Sequence, residues 1–66
     1  MRKDVEIVDR VYRHVTENLG VRDVTVGYGG WYVIVFCQHP QDEQFLKQKL
    51  DGGFDGVGVV VNRRCM

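Results

Sequence analysis

Few side chains in this chain are of the types that carry reaction chemistry, and their spacing limits what they can do. Cys37 and His39 stand two apart, so an extended segment shows both on one side, with His14 or Cys65 as further zinc-ligand types. Two neighbouring ligands fall short of a tetrahedral set, and the simpler reading is a buried strand-end thiol beside an exposed histidine at a helix start. A thiol nucleophile needs a base and an oxyanion site. The sequence contains no serine, and no Cys–His constellation of that kind can be assigned. Asp42 with Glu43, and Asp51 with Asp55, read as helix-dipole charges and turn formers in preference to acid–base pairs or calcium ligands. His14 falls at the rim of the first helix, beside Ile7 and Asn18, as a partly exposed structural residue. No catalytic residue, metal ligand or cofactor is assigned, and a non-enzymatic role is expected.

The glycines of Gly52-Gly53-Phe54-Asp55-Gly56-Val57-Gly58 suggest a phosphate loop at first sight. Such loops run from a strand into a helix, where free N–H groups point at the phosphate. Here the glycines lead from a helix end into a strand and no Gly-Lys-Ser/Thr follows, so phosphate binding is not expected. Trp31, Tyr32 and Phe36 resemble a stacking platform for single-stranded nucleic acid, with Arg22, Arg63 and Arg64 as phosphate contacts if the fold gathers them at one edge. Nine basic and nine acidic side chains leave no net field to drive such binding, or binding to an anionic membrane. Gln41, Gln44 and Gln48 form an uncharged polar face on a second helix, able to meet a partner without a strong desolvation cost.

These residues must be positioned by one small domain, residues 1–66, of which 44% are hydrophobic. A domain of this size buries only about 60% of the surface its unfolded chain exposes, so a partner, a ligand or self-association is a natural source of further stability. No charged-then-apolar leader and no membrane-length apolar run is present, which sets a cytoplasmic expectation and a thiol state for Cys37 and Cys65.

Val5, Val8, Val11, Tyr12, Val15 and Leu19 recur at helical spacing, predicting an amphipathic helix over about residues 3–19 that Gly20 caps. Val24, Val26 and Tyr28 alternate with Asp23, Thr25 and Gly27, predicting a strand over about 22–28 with one buried face. Gly29-Gly30 is the expected hairpin turn. From Trp31 to Cys37 every residue is apolar, so this second strand is covered on both faces or leaves one for a partner. Pro40, Asp42 and Glu43 open a helix over about 40–50, and Val57-Gly58-Val59-Val60-Val61 leads a third strand over about 57–62, followed by a short tail.

The order is helix, strand, strand, helix, strand. It predicts an α+β fold in two layers, both helices on one face of a three-stranded mixed sheet. The other face stays uncovered, and Tyr32, Ile34 and Phe36, or else the Trp31 set, fall on it. An apolar patch of this kind marks an interaction surface, unless the strand ends and the tail fold over it. Whether the second strand is central or an edge is open at this point. An edge would favour β-augmentation.

Val24-Thr25-Val26, Gly30-Trp31-Tyr32-Val33 and Gly56-Val57-Gly58-Val59-Val60-Val61-Asn62 stand where the BON domain, a small αββαβ module, has its strand signatures, and the chain resembles that family over about residues 4–62. Phe36 departs from the pattern, which has glycine at the end of the second strand. The resemblance implies binding of protein or phospholipid. The same order is similar to ring-building domains of secretion systems, which implies assembly. The expected function is a protein-interaction or assembly module, a homodimer or a captor of another protein, acting through Trp31, Tyr32, Ile34 and Phe36. The alternative is single-stranded nucleic-acid or phospholipid binding through Arg22, Arg63 and Arg64.

Overall fold

The computed structural model describes residues 3–64, so Cys65 and the end of the tail lie outside the described residues. Helix α1 (Lys3–Arg13) runs into a π-helical turn (His14–Asn18), followed by strands β1 (Val24–Tyr28) and β2 (Tyr32–Cys37), helix α2 (Pro40–Lys49) and strand β3 (Gly58–Arg63). The sheet order is β1-β2-β3, with β1 antiparallel and β3 parallel to β2. The fold is the two-layer α+β arrangement, with α1 packed on β1 and α2 on β3 and β2. The central place of β2 answers the question of strand order.

Ten buried side chains make the core: Val11, Val15, Val21, Val24, Val33, Val35, Cys37, Leu46, Leu50 and Val61. Register places Val24 and Val26 opposite Cys37 and Val35, and Val59 and Val61 opposite Val33 and Val35, so these residues share the helix-bearing face. Valine suits this sheet because its branched Cβ packs well on a pleated surface.

The stripe of α1 is wider than the sheet beneath it. Val11 and Val15 are buried and Ile7 packs against the core, whereas Val5 and Tyr12 stand exposed. Since α1 lies over the marginal strand β1, its outer flank extends past the sheet. At its end the Leu19 amide reaches the His14 carbonyl and the Val21 amide the Val15 carbonyl, each at 3.0 Å, and Gly20 reverses the chain at φ 76°.

Two loop details differ from expectation. The Gly29 amide donates to the Tyr32 carbonyl at 2.8 Å, so the two-residue turn is Gly30-Trp31, one residue later than Gly29-Gly30. Gly30 adopts φ 99° there, as a primed hairpin turn requires. After α2, Phe54 and Val57 exchange both backbone hydrogen bonds around Asp55 at φ 54° and Gly56 at φ 79°, a second tight turn of Asp-Gly type.

Candidate interaction surfaces

Alternation along β2 puts Tyr32, Ile34 and Phe36 on the face away from the helices, all three half-buried. Thr25 and Gly27 of β1 and Gly58, Val60 and Asn62 of β3 fall on the same face by register. No helix packs there among the described residues. The Tyr32 ring lies over Gly29 so closely that a Cβ on Gly29 would collide with it. Arg64 sits above the Phe36 ring, 5.5 Å from its centroid. Trp31 does not join this row: it occupies the hairpin turn and is 83% exposed. Val60, absent from the row expected from strand alternation, adds an exposed side chain beside Ile34.

The three candidate arginines divide. Arg22 and Arg64 line a shallow cavity of about 240 Å³ with Phe36, Thr25 and Gln38. Arg63 stands opposite Cys37 in register, which places it on the helix-bearing face. The corner therefore combines two arginines and an aromatic ring with one carboxylate, that of Asp23.

A further apolar surface lies where α1 overhangs β1. Val5, Val8, Tyr12, Val26 and Tyr28, with Asp9, line a groove of about 380 Å³. Tyr28, expected on the buried face, is exposed because it ends the strand, and its hydroxyl donates to the Gly30 carbonyl. The signal for this groove was already in the breadth of the α1 stripe, more than a single marginal strand can cover.

The chemically suggestive residues are held in structural contacts. Cys37 is fully buried and its thiol donates to the Asn62 carbonyl at 3.5 Å. Burial pushes that thiol above its ordinary pKa, with the carboxylates of Glu43 and Asp42 adding to the rise. His39 is the N-cap residue of α2, but its side chain makes no capping hydrogen bond; its Nε2 lies 3.1 Å from Asp23. His14 packs on the Phe54 ring at 4.9 Å and meets the Asn18 amide at 3.1 Å. In the cavity around them, Arg10 is paired with Glu6 and Asp55, and Arg13 with Asp9. Among the described residues, no three His, Cys, Asp or Glu side chains converge to hold a metal ion. No described helix is long and apolar enough to cross a membrane.

No protein-family model, curated protein or solved structure matches the chain.

Proposed function

We propose that this chain is a non-enzymatic protein-interaction or assembly module that works through the open face of its sheet. The observation that carries the reading is the continuous row of Tyr32, Ile34 and Phe36, with Val60 beside it, on a face that no described helix covers. Apolar side chains grouped on one side of a small sheet supply the desolvated centre of an interface. Trp31, exposed in the adjoining turn, provides an aromatic anchor of the type enriched at binding hot spots.

The test is an Ile34→Asp, Val60→Asp double variant, checked for folding by circular dichroism and then for association by sedimentation velocity. Loss of association in a folded variant supports the reading. Retention of every association the parent chain shows overturns it.

A second reading has its own observation, the corner of Arg22, Arg64 and Phe36. Two cations beside a ring fit a single-stranded nucleic acid, whose phosphates and bases would meet them respectively. Arg22→Ala with Arg64→Ala should reduce oligonucleotide binding on this reading, while Arg63→Ala leaves it unchanged. Anionic phospholipid vesicles in the same assay distinguish the lipid alternative.

A further inference from the structure

The connection from α2 to β3 contains two Asp-Gly steps, Asp51-Gly52 and Asp55-Gly56. Aspartate before glycine carries a reaction of its own, because the unhindered glycine nitrogen can attack the side-chain carboxyl of the preceding residue and close a five-membered ring. Both aspartates are exposed, so burial does not separate them. What separates them is how each carboxylate and its backbone are held.

At Asp55 the carboxylate is anchored. Its Oδ2 accepts a hydrogen bond from Arg10 Nη1 at 2.7 Å, an ion pair that ties the turn to α1. The two backbone hydrogen bonds that Phe54 and Val57 exchange fix the chain on either side. To reach the Gly56 nitrogen, the carboxyl group must first leave the guanidinium.

Asp51 is held more loosely. Among the described residues it takes part in no ion pair, and Lys47, one turn earlier, is paired with Glu43 at 3.5 Å. One backbone hydrogen bond spans the turn, from the Gly53 amide to the Leu50 carbonyl at 3.0 Å, with Gly52 at φ 88° in the third position of a type II turn. Ring closure requires the Asp51–Gly52 peptide to rotate. That rotation converts type II to type I and keeps the hydrogen bond, and glycine accepts either sign of φ. Asp51 and Gly52 also line an open cavity of about 470 Å³ beside β3, where water reaches both.

We propose that Asp51 is a site of spontaneous isomerisation to isoaspartate, and that Arg10 spares Asp55 the same reaction. The Gly52 nitrogen bonds to Cγ of Asp51, and the carboxyl hydroxyl leaves with the amide proton as water. Water then adds to the cyclic imide. Cleavage of the nitrogen–Cγ bond restores aspartate, whereas cleavage at the main-chain carbonyl leaves the chain running through Cγ. No oxidant or cofactor is consumed, and the mass is unchanged. The product carries one extra methylene in the main chain, two residues before Gly53, where even a Cβ would strike the Val57 carbonyl.

The test is to age the folded chain for weeks in mildly acidic buffer at physiological temperature, digest it, and distinguish the two linkages by electron-transfer dissociation. The expected result is isoaspartate at Asp51 several-fold ahead of Asp55. In urea the two sites should react at similar rates, because structure no longer separates them. Arg10→Ala, shown to be folded by circular dichroism, should raise isoaspartate at Asp55 several-fold and leave Asp51 unchanged. Arg13→Ala, which removes the pair with Asp9, should alter neither site. The proposal is overturned if Asp51 stays intact in the folded chain while it isomerises in urea, or if Asp55 reacts first. It is also overturned if the lead of Asp51 persists undiminished in urea, which would assign it to sequence alone, or if folded Arg10→Ala leaves Asp55 at its parent rate.

Discussion

The two faces of β2 belong to one six-residue strand, yet they solve burial in different ways. On the helix side stand Val33, Val35 and Cys37, all at 0% exposure; on the other stand Tyr32, Ile34 and Phe36, all half-buried. Hydrophobicity does not separate the two sets, but size does. Small side chains let the helices approach, whereas large ones on the uncovered side spread over their neighbours. Those neighbours include Gly27 and Gly58, paired with Ile34 and Tyr32, and Gly29 under the Tyr32 ring. Aromatic side chains over glycines shelter backbone that would otherwise be bare. The open face thus covers itself in part, and what remains is available to a partner.

The strongest way to break this comparison is to place one charge on each face in turn. Val35→Asp buries an unpaired carboxylate among Val11, Leu46 and Val61, in a domain of a size whose core rarely supplies more than about 3–5 kcal/mol. We expect no cooperative urea transition and no native circular dichroism for it. Ile34→Asp, one residue away, should stay folded and lose roughly 1–2 kcal/mol, since its carboxylate reaches water. If the two variants unfold alike, the open face is as much core as the other.

A second test compares two glycines. Gly53 combines φ 97° with a position where a Cβ would strike the Val57 carbonyl, and neither obstacle can move without breaking the turn. Gly53→Ala should therefore cost about 2 kcal/mol or more, read as a lower urea midpoint. At Gly29 the obstacle is the tip of the Tyr32 side chain, which can rotate away. Gly29→Ala should cost less than about 1 kcal/mol but displace the ring, and nuclear Overhauser contacts between Tyr32 and residue 29 would show it. A cost equal to that at Gly53 would mean that the Tyr32 ring is held as firmly as backbone.

Element order and fold class were legible because the apolar periodicities of α1, β1 and β2 are strong and glycine or proline marks their boundaries. The row of Tyr32, Ile34 and Phe36 was legible up to a choice of face, which strand periodicity alone cannot make. Helix placement makes it. Trp31 was grouped with the strand because it continues the apolar run; the turn falls one residue later since pairing of Gly29 with Tyr32 leaves Gly30 and Trp31 to reverse the chain. The arginine corner was out of reach for a similar reason. Arg63 and Arg64 are adjacent in sequence and fall on opposite sides of the sheet, a separation set by the register of β3 against β2.

The smallest effect belongs to Cys37, and it sharpens the same comparison through pH. Its raised thiol pKa means that the folded chain holds the proton to higher pH than the unfolded chain does. Below the ordinary thiol value both states are protonated and the contribution to stability is fully present. Above it the unfolded thiol ionises first, so the folded state binds more protons and stability falls until the folded thiol ionises too. The urea midpoint should decline over that alkaline interval, and Cys37→Val, close in volume, should remove part of the decline. In parallel, iodoacetamide at neutral pH should leave Cys37 unmodified in the folded chain and modify it in urea, as mapped by mass spectrometry of its peptide. Rapid modification of Cys37 in the folded chain would show that the helix-covered face opens locally, and that the contrast between the two faces of β2 is one of degree.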